Sequence, residues 1–226
     1  MQDINSILSL ETIASLTDEE GLDAVAQLID YASDQADIGL NAKAMTWCRQ
    51  LEGRRLSDEQ RIFLDYFEAN AWANSNSLIN AQGPAIWAWD QDAIQKQIYL
   101  LRRAVNNPGF GEIDVAIICQ ILTNLANQLN IGGRFIEARE IWGNALSRNS
   151  AFWMARANRG NALISYASAL YDSGHQSVFA LVAHSELTQA IHDLDEHPEL
   201  GDTSLRPIFV EAAESITQHF DLAAIS

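Results

Sequence analysis

Of 226 residues, only two are cysteine and four are proline. Cys48 and Cys119 alone supply neither a disulfide framework nor a cysteine-based zinc site. No stretch approaches the roughly 18 apolar residues of a membrane-spanning helix. The opening, MQDINSILSLETIASLTDEE, has no basic n-region, so no cleaved signal peptide is expected. These absences lead to the expectation of a cytoplasmic, reduced protein with no membrane association. Basic residues are missing from both ends. Residues 1–38 hold nine acids and no Lys or Arg, and residues 161–226 hold ten acids against Arg206 alone. Such ends repel phosphate and anionic lipid at long range, which disfavours RNA as a partner of the whole surface.

Signatures of catalysis are missing as well. There is no Gly-x-Ser-x-Gly turn and no Gly-x-x-x-x-Gly-Lys phosphate loop. Both cysteines fall in apolar stretches, where a thiol is usually an inert small hydrophobe. His192, Asp193, Asp195, Glu196 and His197 crowd together, and His184, eight residues before His192, could share their face, but Pro198 marks a helix end there and nothing else fixes a zinc geometry. An exposed polar helix end is the expectation. The sequence predicts no enzyme, no metal and no cofactor.

With 48% hydrophobic residues, the chain has ample material for a core. The prolines stand at 84, 108, 198 and 207, so 109–197 has none, and no segment there alternates strictly. Helix is the expected state. Thr17-Asp-Glu-Glu20 and Ser57-Asp-Glu-Gln60 are capping boxes. Helices are predicted over 4–15, 18–35, 40–52, 58–74, 90–106, 112–131, 134–147, 151–172, 176–195 and 205–222. The segment 75–89, SNSLINAQGPAIWAW, reads as a long loop. Its Trp87 and Trp89 either plug a seam between helices or form an aromatic lip over a groove.

The strongest feature is a repeat of 34 residues. In that register Asn124 falls on Asn158, Asn127 on Asn161, Leu129 on Leu163 and Ala126 on Gly160, so NLANQL and NRGNAL are one segment used twice. Leu122, Leu125, Ala126 and Leu129 share one helix face. Gly132-Gly133 breaks that helix, and Phe135, Ala138, Trp142 and Ala145 form the inner stripe of the next.

This pattern of small and large residues resembles a tetratricopeptide repeat over 119–152, with Ser150 and Ala126 at positions where the family usually has proline and glycine. The first helix of 153–172 repeats it; after that, Asp172 and Gln176 depart from the pattern. The pairs 58–106 and 18–52 are weaker matches, and 205–222 serves as an end cap. The string from TNLANQL to YDSGH, with DYFEANAWAN and LLRRAV upstream, further resembles the helical N-terminal region of bacterial proteins that end in a HEPN domain, commonly a ribonuclease or toxin-like module. No Arg here precedes a His by four to six residues, the mark of that domain, so its catalytic part is expected to lie outside this chain. The resemblance implies an all-α fold, a right-handed α-solenoid of antiparallel helix pairs spanning 1–226 as one domain. It also implies a non-catalytic scaffold for a protein or peptide, the sensor or regulatory half of a HEPN-type system, with a HEPN domain as partner in cis or in trans. An RNA-binding helical array and a self-association module are the alternatives, and the oligomeric state is left open.

By repeat position, Gln120, Thr123, Asn127, Asn130 and Ile131 line a groove from one unit, and Met154, Ala157, Asn161, Ile164 and Ser165 line it from the next. An amide there can donate to and accept from an extended peptide backbone. Asn124 and Asn158 read as bridges between adjacent helices. Family members that clamp a terminal carboxylate add lysines to such asparagines, and Thr123 and Ala157 stand where a lysine is expected. Arg134, Arg139, Arg148, Arg156 and Arg159 form a local basic strip. For Arg156 and Arg159, beside Phe152 and Trp153, the alternatives are stems that cover apolar surface and contacts to a partner's acids.

Overall fold

The computed structural model describes residues 4–81 and 91–220. Every regular element among them is helical. None is long and apolar enough to cross a membrane. The chain divides into two compact units, residues 1–113 and 114–226.

The first unit contains α1 (Ile4–Ser9), α2 (Asp18–Asp34), α3 (Ile38–Glu52), α4 (Asp58–Ala81) and α5 (Gln91–Val105), followed by a 3₁₀ turn at Pro108–Glu112. Neighbours in sequence pack on one another, and α2 also packs on α4. Both capping boxes form. The Glu20 N–H donates to Thr17 Oγ1 at 3.3 Å while Glu20 Oε2 accepts from the Thr17 N–H at 2.9 Å. The Gln60 N–H donates to Ser57 Oγ at 3.2 Å, and Gln60 Oε1 accepts from the Ser57 N–H at 3.0 Å. The core gathers Ile7, Val25, Leu28, Trp47, Leu51 and Leu64.

Two boundaries differ from expectation here. The first helix stops at Ser9 rather than 15. Beyond it the backbone is satisfied from α3 and the turn that follows: the Arg54 guanidinium donates to the carbonyls of Ile13 and Leu16 at 2.7 and 2.9 Å. Gln50 Oε1 accepts from Thr12 Oγ1 at 3.1 Å. The segment expected to be a loop from 75 is helical to Ala81. Asn41 on α3 draws it in, donating to the Ala71 carbonyl at 2.9 Å and to Ser75 Oγ at 2.7 Å. Trp87 and Trp89 lie outside the described residues.

The second unit contains α6 (Val115–Ile131), α7 (Phe135–Arg148), α8 (Trp153–Ser168), α9 (Ser173–Glu196), two short 3₁₀ turns, and α10 (Arg206–His219). α6 packs on α7 and α8, α7 on α8, α8 on α9, and α9 on α10. The Gly132-Gly133 break is a Schellman turn: Gly133 takes φ +77°, its N–H donates to the Asn130 carbonyl, and the Arg134 N–H donates to the Leu129 carbonyl at 2.8 Å. Ala138, Trp142 and Ala145 are buried on the inner side of α7 as their spacing predicts. Leu129 and Leu163, the repeat-related pair, are both buried.

The second half of the repeat departs from the pattern for a local reason. α8 ends at Ser168, short of the predicted 172. Asp172 caps α9 by accepting from the His175 N–H at 2.8 Å, and Gln176 donates to the Leu170 carbonyl. Both polar residues serve the turn rather than a packed stripe.

Candidate functional site

In the second unit, α6, α7 and α8 enclose an open groove of about 300 Å³. α6 supplies Asn127, Asn130 and Ile131; α8 supplies Asn158, Asn161, Ala162 and Ser165; Trp142 closes the floor from α7. The 34-residue period explains part of the arrangement: α6 and α8 are packed neighbours that bring the equivalent pairs Asn127/Asn161 and Ile131/Ser165 to the same space, while Asn130 and Asn158 line it without their counterparts.

Trp142 is buried, and its indole N–H donates to Asn127 Oδ1 at 3.1 Å. That bond orients the Asn127 amide. The side chains of Asn130, Asn158 and Asn161 are half-buried and form no hydrogen bond with any described residue. Ser165 Oγ donates to the Asn161 backbone carbonyl at 3.3 Å, which leaves the Asn161 amide open. Among the described residues, no charged side chain lines the groove. The site therefore presents amide donors and acceptors without a formal charge, a chemistry suited to uncharged polar groups such as peptide bonds.

The other residues expected in this groove sit elsewhere. Gln120 donates to Asn124 Oδ1 at 3.1 Å along α6. Thr123 is buried, and its hydroxyl has no partner among the described residues. Ala157 is buried among Trp153, Leu163 and Leu187, and Met154 and Ile164 pack against that same cluster.

Arg156 and Arg159 belong to an internal ion network that pins α8 to α9. Arg156 Nε reaches Asp193 at 3.0 Å, and Arg159 reaches Glu186 at 2.6 Å. Arg156 also lies 3.6 Å from Glu186 and donates to the Ser150 carbonyl at 2.8 Å. Asp193 in turn accepts from Gln189 at 2.7 Å. Elsewhere in the strip, Arg134 pairs with Glu137.

The thiols have no activated setting. Burial pushes both the Cys48 and the Cys119 pKa up, and Cys119 Sγ donates to the Ala145 carbonyl at 3.4 Å. His192 lies 3.7 Å from Glu196, both largely exposed. Among the described residues no group of three or more His, Cys, Asp or Glu could hold a metal ion.

What sequence reasoning missed is the role of Trp142 as groove floor as well as core residue. Its spacing marked the inner stripe; only the turn at Gly132-Gly133, which folds α7 back on α6, brings the indole N–H to Asn127. No protein-family model, curated protein or solved structure matches the chain.

Proposed function

We propose that this chain is a non-catalytic docking module whose second unit holds an extended peptide segment of a protein partner in the asparagine groove. The carrying observation is the set of open amides on Asn130, Asn158 and Asn161 beside Asn127, whose orientation Trp142 fixes. An extended strand exposes a backbone N–H and carbonyl at every residue, and an amide side chain meets both with one group. Uncharged walls suit an internal peptide segment better than a terminal carboxylate, which calls for a cation. The tetratricopeptide-like register of α6 to α8 supports the same reading. So does the resemblance to HEPN-linked helical regions, which makes a HEPN domain, in cis or in trans, the first partner to try. Arg156 and Arg159 are spent on Glu186 and Asp193, which weighs against an RNA-binding strip.

Panning a random-peptide display library on the full chain tests the proposal. Enriched peptides are expected to lose binding to an Asn158→Ala/Asn161→Ala variant that melts like the parent. Peptides that bind both proteins equally would remove the groove from consideration.

A further inference from the structure

A second cavity, of about 430 Å³, lies in the first unit between the N-terminal halves of α2 and α4. Its apolar surface comes from Leu22 on α2 and from Phe63 and Phe67 on α4, whose rings stack at 5.9 Å and 27°. Both residues are half-buried and line the cavity. Glu19 and Asp23 on α2 and Glu59 on α4 rim it, and among the described residues no cationic side chain lines it. None of the three carboxylates has an ion-pair or hydrogen-bond partner among the described residues. The neighbouring acids on α2 are already engaged: Asp18 pairs with Arg54 at 3.1 Å, and Glu20 closes the Thr17 capping box.

Glu19 and Glu59 stand in first helical turns, where a carboxylate offsets the positive end of the helix dipole. That accounts for part of the charge only. Two helix starts contribute roughly half a positive charge each against three full negative ones, and their N–H groups are partly met by Thr17 and Ser57. Asp23 lies one turn further in. An excess of negative potential therefore stands over an aromatic floor.

We propose that this cavity is a docking pocket for an arginine side chain projected by a basic segment of a protein partner. A guanidinium is planar and weakly hydrated, so it stacks on the Phe63 and Phe67 faces while its N–H fork reaches the carboxylate rim. A lysine ammonium meets the charge but is more strongly hydrated and gains less from the rings. A phosphate or acidic ligand is repelled. The pocket is separate from the asparagine groove and its occupancy does not depend on that groove's function.

The test is a titration of the ¹⁵N-labelled full chain with N-acetyl-arginine methylamide, followed by amide chemical shifts. Saturable shifts centred on Leu22, Asp23, Phe63 and Phe67 are expected, with the lysine counterpart several-fold weaker and the norleucine counterpart inert. Asp23→Asn with Glu59→Gln should weaken binding about tenfold at low salt and by less at high salt, because these carboxylates are exposed and act through solvent that salt screens. Phe67→Leu keeps the charge and the burial but removes a ring, and should cost about threefold. Shifts of equal size from norleucine, binding that survives in the charge variant, or displacement of the arginine probe by equimolar calcium chloride would each overturn the proposal.

Discussion

The indole N–H of Trp142 and the Oδ1 of Asn127 are joined at 3.1 Å, so a core residue of α7 fixes one of the four amides of the groove. The asparagines that the sequence groups together are thus not equivalent. Asn127→Ala leaves a buried indole N–H without its acceptor and should cost about 1–3 kcal/mol of stability. Asn161→Ala removes an amide with no partner among the described residues and should stay within about 0.5 kcal/mol of the parent. Urea unfolding of the two variants checks the contrast, and equal midpoints would refute the assigned role of Trp142.

The network joining α8 and α9 rests on Glu186, which faces both Arg156 and Arg159. All three side chains are mostly shielded, with 16–19% exposure, so the attraction is screened less than at an open surface. Glu186→Ala should leave Arg159 without its acid and Arg156 with Asp193 alone, and so lower the melting temperature. Glu186→Gln keeps a hydrogen-bond acceptor and should lose less. A melt unchanged in both would show that the network contributes nothing.

The helices were legible because their signals are local. The capping boxes at Thr17 and Ser57 and the break at Gly132-Gly133 each depend on a few consecutive residues. Core positions followed from period: Ala138, Trp142 and Ala145 are where 3.6-residue spacing puts them. Side chains whose partners are distant in sequence were not legible. Arg54 holding the Ile13 carbonyl, Asn41 holding Ser75, and Glu186 claiming Arg159 all act across 27 to 41 residues. The groove was half legible for the same reason: repeat register brought Asn127, Asn130, Asn161 and Ser165 together, but register cannot tell that Met154 and Ile164 lean on the core. The arginine pocket carried no sequence signal, since Glu19, Asp23 and Glu59 look like ordinary solvated faces.

Glu68 supplies a pH test. Burial, and then the nearby Glu52 carboxylate, push its pKa up in the folded chain. In the unfolded chain it titrates near its ordinary value, roughly 4.3. The folded state therefore binds the proton more tightly, and the group favours folding most below the unfolded value. That advantage is lost as pH rises through the raised folded value. Glu68→Gln removes the titration while keeping the shape. The difference between variant and parent in urea midpoint should grow from pH 4 to pH 7, in favour of the variant. A constant difference would mean that Glu68 does not titrate differently in the two states.

Two glycines in helices of the second unit should respond oppositely to alanine. Alanine is the better helix former by about 1 kcal/mol, so replacement stabilises wherever there is room. At Gly143 on α7, an added Cβ meets nothing among the described residues nearer than Arg159 Nη1 at 4.0 Å. Gly143→Ala should raise stability by up to about 1 kcal/mol. At Gly160 on α8, the same atom would lie 3.0 Å from Leu187 Cγ and 3.3 Å from the Ala183 carbonyl oxygen. Leu187 is fully buried and the carbonyl belongs to the α9 backbone, so neither yields easily. Overpacking of this kind costs about 1–3 kcal/mol, enough to cancel or reverse the propensity gain. Gly160→Ala should therefore be neutral to destabilising, and Gly160→Leu clearly destabilising, in thermal and urea unfolding. The position also bears on the repeat: Ala126 on α6 has a methyl where Gly160 has none, and at Gly160 a methyl would crowd Leu187 and the Ala183 carbonyl of α9. If Gly160→Ala stabilised as much as Gly143→Ala, the close packing of α8 on α9 would be wrong, and with it the placement of Asn158 and Asn161 on the opposite side of α8.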